Sequence, residues 1–208
     1  TDDETIGGTA FNDEDVFVFR PDTFGDHSSG TFFMLIDGSD IGLGDAGEQL
    51  NGVTLIEQDT VVAGTTFDAG TFLLSSTSGF ADIRHYDLTS VGTTTAGSNS
   101  TFLDLSDIDN KDNSAGGLDL VETDMDIGGV SLTSGQLLVY SFDDADAGDN
   151  ALAKTNYDIF VLDITSTGTT SAATATMFFD GSDVSFNTAA EELTALSLVQ
   201  ATNDAPVV

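Results

Sequence analysis

Asp15–Gly25 reads DVFVFRPDTFG, and Asp37–Asp40 reads DGSD. The arrangement returns twice. DIRHYDLTSVG begins at Asp82 and DIFVLDITSTG at Asp158, and in all three copies Gly follows the first Asp by ten positions, at Gly25, Gly92 and Gly168. Twelve residues further on stands a second Asp (Asp37, Asp104, Asp180), three beyond it a third (Asp40, Asp107, Asp183), then a β-branched residue (Ile41, Ile108, Val184). Three ungapped copies with three aspartates and a glycine in register mark an internal repeat.

The segments between these units also match. VAGTTFDAGTFLL from Val62 parallels IGGVSLTSGQLLV from Ile127, aligning Gly64 with Gly129, Phe67 with Leu132, Gly70 with Gly135 and Leu73 with Leu138. Each predicts a hairpin, two apolar runs around a Gly-containing turn. The third copy lacks the second half of its hairpin, because its last apolar run, LTALSLV, ends at Val199. The N-terminal stretch TIGGTAF (5–11) is the candidate to fill that gap, which would close a ring by pairing first and last strands. The expected fold is therefore all-β over residues 1–200, with repeats of about 1–80, 81–153 and 154–200 around a pseudo-threefold axis and propeller-like or prism-like closure. A β-sandwich is the alternative. Helix signal is thin: TAAEELTAL from Thr188 carries a capping box, DAGEQL from Asp45 sits at the equivalent place, and both predict single-turn connectors.

Composition narrows the function classes. Four basic residues (Arg20, Arg84, Lys111, Lys154) face 36 acidic ones, for a formal charge of −32. Such a surface repels phosphate backbones and anionic lipid, which argues against nucleic-acid and membrane-surface partners. Asp outnumbers Glu 29 to 7, and Asp suits turns and supplies hard oxygen ligands from short loops. Cysteine is absent, so there is neither a disulfide framework nor a thiolate site. No apolar run reaches the ~18–20 residues of a transmembrane helix.

Two carboxylates three apart, with Gly and Ser between, can curl around one cation. The Asp that opens each unit can join them if its strand pairs with the one before the turn. The candidate calcium ligands are thus Asp15, Asp37 and Asp40; Asp82, Asp104 and Asp107; and Asp158, Asp180 and Asp183. The competing reading is an Asp-Gly turn capped by backbone N–H groups. Leu105 stands where the other copies have Gly38 and Gly181. Glycine admits a positive φ that leucine resists, so the middle turn is expected to differ. DDADAGDN (143–150) and DIDNKDN (107–113) read as solvated acidic loops. Catalysis finds little support. The two histidines, His27 and His85, belong to no nucleophile–base pattern, and there is no P-loop, dinucleotide fingerprint or HExxH.

NDEDVFVFRPDTFGDHSSGTFFMLIDGSDIGL (12–43) resembles tandem repeats of very large secreted bacterial surface proteins, closely here, fairly over 156–185 and weakly over 80–109. TNDAPVV (202–208) resembles the junction that opens cadherin-like and VCBS-type repeats in such adhesins. The resemblance implies a surface-exposed module of a long extracellular chain on the bacterial cell surface. It further implies that residues 201–208 link to a following cadherin-like domain, with Asn203 and Asp204 contributing to inter-domain calcium. The expected function is a calcium-stabilised, non-catalytic adhesion or display module whose partner is a surface protein, a glycan or copies of itself. A structural subunit of a surface layer, filament or matrix and a carbohydrate-binding module are the alternatives; the lack of Trp and only three Tyr weaken the latter.

Overall fold

The computed structural model describes residues 4–6, 8–26, 28–44, 49–76, 82–108, 115–141, 146–186 and 193–199. The chain is all-β. A first hairpin joins β1 (Glu4–Ile6) to β2 (Thr9–Phe11). A long ribbon follows, β3 (Val16–Thr23) against β4 (Ser29–Ile36), ending in a 3-10 turn over Gly38–Ile41. Then come β5 (Leu50–Leu55), the hairpin β6 (Thr60–Val62) and β7 (Thr65–Phe67), β8 (Phe72–Ser76), β9 (Asp82–Ser90) and β10 (Ala96–Asp104). One α-helical turn, α1 (Leu105–Ile108), closes that unit. The pattern repeats as β11 (Ala115–Leu120), the hairpin β12 (Met125–Ile127) and β13 (Val130–Leu132), and β14 (Leu137–Ser141). After a small inserted hairpin, β15 (Asp146–Ala147) and β16 (Leu152–Ala153), it continues as β17 (Ile159–Ser166), β18 (Ala172–Phe179) and a 3-10 turn over Gly181–Val184.

Two antiparallel four-stranded sheets form the centre, ordered β10-β9-β8-β5 and β18-β17-β14-β11. Successive residues of a strand point to opposite faces, and here each face buries something different. Leu73 of β8 lies in the core shared with Leu118, Leu137, Val139, Phe160 and Leu162 of the second sheet. Its neighbours Phe72 and Leu74 join Ile36, Leu43 and Tyr86 in a second core, toward the β3–β4 ribbon. On the second sheet Leu138 and Val161 turn outward to a third core, covered by Leu196 and Leu198 of the C-terminal segment. The order is ribbon, sheet, sheet, C-terminal segment: a stack of layers. Burial on both faces explains why β11 and β8 read as continuous buried runs and not as alternating strands.

No closed barrel or propeller forms among the described residues, and a threefold axis is not shown. The ring closure expected from TIGGTAF fails because β1 takes β2 as its partner, pairing Ile6 with Thr9. That hairpin is itself a copy of the other two: Ile6–Thr9, Val62–Thr65 and Ile127–Val130 close equivalent turns, with Gly8, Gly64 and Gly129 at φ 90°, 82° and 88°. The connector turns expected at 45–48 and 188–192 lie outside the described residues.

Candidate functional site

The register of each long hairpin brings the opening Asp beside the DxxD turn, as expected, pairing Val16 with Ile36 and Asp82 with Asp104. The carboxylates there accept from main-chain N–H groups and from serine hydroxyls. Asp15 accepts from Gly38 N at 2.9 Å and from Asn12 N at 2.8 Å. Asp158, 3% exposed, accepts from Gly181 N at 2.9 Å and from Thr155 N at 2.7 Å. Asp37, Asp104 and Asp180 each accept a hydroxyl hydrogen bond at 2.6 Å, from Ser39, Ser106 and Ser182.

The third aspartate reaches into the next repeat. Asp40 Oδ2 accepts from Thr95 N at 2.8 Å, and Asp107 Oδ2 accepts from Ser171 N at 2.9 Å. The same hydroxyl residues return the contact: Thr95 Oγ1 accepts from Asp37 N, and Ser171 Oγ from Asp104 N, both at 2.9 Å. Gly92 N and Gly168 N donate to Leu35 O and Phe102 O at 2.9 Å, completing a parallel bridge at each site. Each joint is thus a hairpin tip of one repeat held in the DxxD turn of the repeat before it. Gly92 and Gly168, at φ 103° and 96°, turn the tip; a side chain there would be strained. Thr95 and Ser171 then donate back to Gly92 O and Gly168 O at 2.8 Å, locking the tip's shape.

A second row of contacts runs through the sheets. The buried Asp119 accepts from Thr54 Oγ1 at 2.9 Å on one side and from Leu198 N at 2.6 Å on the other. Glu122 accepts from Glu57 N and Gln58 N. Burial pushes both carboxyls above their ordinary values against the pull of these hydrogen bonds. Two raised carboxyls beside an open cleft of about 210 Å³ form an arrangement that acid–base enzymes use, but both here hold main-chain N–H groups. Reading the sequence alone missed Asp119 and Glu122. Their signal was the hairpin alignment, which places Glu57 and Glu122 at one position.

Among the described residues no group of three or more His, Asp or Glu is placed to hold a metal ion. At the first turn all three carboxylates already accept hydrogen bonds. In the middle copy Asp82 is pushed upward by burial and then by Asp104, with Arg84 at 4.0 Å pulling it back. Asn203 and Asp204 lie outside the described residues, as do His27, 143–145 and 109–113. Of the acidic loop at 143–150, the described part is a hairpin pinned to β18, where Asn150 brackets Ala175 by bonding both its N and its O. His85 is a satisfied core histidine: Nε2 lies 2.9 Å from Thr71 Oγ1, the ring packs edge-on against Phe67, and burial lowers its pKa.

The reason for Gly38 and Gly181 also differs from expectation. Neither has a positive φ; the left-handed residues are Gly42 (φ 89°) and Ser185 (φ 76°) just after each turn. Glycine is required because a Cβ on Gly38 would collide with Glu14 O and one on Gly181 would lie 2.5 Å from Tyr157 O. Leu105 does change the geometry, giving an α-helical turn and burying its side chain in the central core. Among the described residues, no helix is long and apolar enough to cross a membrane. Comparison with family models, with curated proteins and with solved structures finds no match.

Proposed function

We propose that this chain is a non-catalytic surface-display module, a stiff acidic spacer within a long extracellular bacterial protein. The observation that carries the reading is the joint in which Thr95 and Ser171 seat one repeat in the DxxD turn of the last. Such joints, together with cores shared between layers, make neighbouring repeats one mechanical body. This is what a spacer needs and an isolated binding pocket does not. The open clefts at Asp119 and at Asp158 hold about 210 and 230 Å³, below the ~300–1,000 Å³ of typical small-molecule sites. The charge of −32 keeps such a surface hydrated and repels its like. On this reading divalent cations act by screening that charge.

The test is force spectroscopy on the chain held between two reference domains, alongside glycan and matrix-protein arrays. A spacer unfolds as one cooperative unit, and a Thr95→Val, Ser171→Val double variant breaks into separate weaker events. Saturable binding of one glycan or protein by the wild-type chain would move the assignment to recognition.

A further inference from the structure

The two joints leave a third pair of faces that, among the described residues, meet nothing. At one end of the stack stands the hairpin tip of the first repeat. Gly25 has φ 104°, against 103° and 96° at Gly92 and Gly168. Ser28 Oγ donates to Gly25 O at 2.7 Å, the same internal bond that shapes the two seated tips. Gly25 and Ser28 therefore already hold the arrangement of their counterparts in the seated tips. Ser28 is nonetheless exposed, while Thr95 and Ser171, in the same place on seated tips, are 4% and 6% exposed. Beside it Phe24 is 85% exposed.

At the other end stands a turn that, among the described residues, holds no tip. Asp180 has φ −95° and ψ 108°, against −87° and 105° at Asp37 in the occupied first turn. Phe186 N bonds Gly181 O at 2.9 Å as Leu43 N bonds Gly38 O at 2.9 Å. Yet among the described residues nothing bonds the Asp183 carboxylate or Asp180 N, the groups that correspond to Asp40 and Asp37 N. Phe178 holds the place of Leu35 and Phe102, whose carbonyls each receive a glycine N–H in the filled joints.

We propose that these two faces bind each other between molecules: the Gly25–Ser28 tip of one chain seats in the Asp180–Asp183 turn of a second copy. The contacts are those of the internal joints. Gly25 N donates to Phe178 O, Ser28 N to Asp183, and Asp180 N to Ser28 Oγ. The occupant is specified because the molecule shows the same tip in the same turn twice. The faces differ from one another, so the interface is head-to-tail and open-ended, and assembly runs past the dimer. Charge sets the condition. Two chains of −32 repel at low ionic strength, and salt that shortens the screening length to ~3 Å at 1 M releases the interface. The inference goes beyond the display reading and stands or falls separately.

Sedimentation of the purified chain across protein concentration, at about 0.1 M and 1 M NaCl, is the experiment. Average mass should climb with concentration without stopping at a dimer, more so at high salt. Ser28→Ala and Asp183→Ala should each weaken association about tenfold or more, because each leaves a main-chain donor unanswered in the joint. Both residues are exposed and outside the internal joints, so the monomer's melting curve should not move. The decisive mixture combines the two variants. One keeps a sound turn and the other a sound tip, so together they form dimers that go no further. A chain that stays monomeric at every concentration and salt overturns the proposal. So does assembly that both variants leave unchanged, which would indicate another surface.

Discussion

Three hydroxyl residues occupy one repeat position, Ser28, Thr95 and Ser171, and only the last two are seated. Removing the hydroxyl should therefore cost stability at two sites and nothing at the third. Thr95→Val keeps the shape and deletes Oγ1, which accepts from Asp37 N at 2.9 Å and donates to Gly92 O at 2.8 Å. Two such bonds contribute about 0.5–1.5 kcal/mol each, and a buried donor left unanswered costs about 1–3 kcal/mol. A loss of about 2–3 kcal/mol follows, and for a chain of this size each kcal/mol lowers the melting point by about 2–4 °C. Thr95→Val should thus melt roughly 4–12 °C below wild type. Thr95→Ser keeps both bonds and forfeits one methyl, worth about 0.8 kcal/mol. Ser171→Ala should fall near Thr95→Val, and Ser28→Ala should match wild type. Calorimetry on the four variants gives the order. If Thr95→Val melts with Thr95→Ser, the Thr95 hydroxyl holds nothing, and main-chain contacts and the cores alone join the repeats.

Other outcomes follow from the same structure. The melting point should climb with NaCl in the absence of divalent ions, since screening weakens repulsion among 36 acidic side chains; a flat response would mean that the charges are already compensated. Calcium should raise the melting point no more than magnesium at equal concentration, because the turn carboxylates already hold hydrogen bonds; a calcium-specific rise abolished by Asp40→Asn would restore a chelate. Glu14, Asp82, Asp119 and Glu122 all have folded pKa values raised chiefly by burial. The folded chain therefore holds more protons than the unfolded one between the ordinary and the raised values, and stability falls as pH rises through that window. Melting followed downward from neutral pH should accordingly show the midpoint rise before acid unfolding begins. Ser185→Gly should stabilise by about 0.5–1 kcal/mol, since Ser185 holds a left-handed φ of 76° where the first copy has Gly42; denaturant unfolding measures it.

Much of the fold was legible because loops with fixed hydrogen bonding cannot change length. The spacing of Asp15, Gly25, Asp37 and Asp40 recurs without gaps since the tip, the ribbon register and the turn each fix a distance along the chain. The hairpin alignment of Phe67 with Leu132 was visible for the same reason. What the residues do was harder to read. Asp15 and Asp158 were correctly expected beside the turn, but carboxylates that cap N–H groups and carboxylates that chelate a cation require the same spacing. The stack was hidden because its central strands bury both faces, which erases the alternation that tells one face from the other. The third copy's missing hairpin half leaves a ring possible on sequence grounds, but β1 and β2 satisfy one another.

The hydroxyl at Ser28, Thr95 and Ser171 lay in register all along, thirteen residues after each opening Asp, yet its meaning depends on a residue in another repeat. Asp40 bonds Thr95 across 55 positions, and Asp107 bonds Ser171 across 64. A reading that treats each copy as a self-contained site assigns Asp37 and Asp40 to one ligand and leaves Thr95 as one more polar loop residue. The geometry divides the work differently. In the first and third units the opening Asp shapes its own turn, and in the first and second the last Asp belongs to the neighbour. The middle copy makes the point sharply. Leu105 replaces the turn glycine and an α-helical turn replaces the 3-10 turn, yet Asp104 N and Asp107 still hold Ser171 at 2.9 Å. The turn tolerates a change of helix type as long as one N–H and one carboxylate face the next tip. The joint needs only those two groups, and both hold Ser171 where the turn itself has changed.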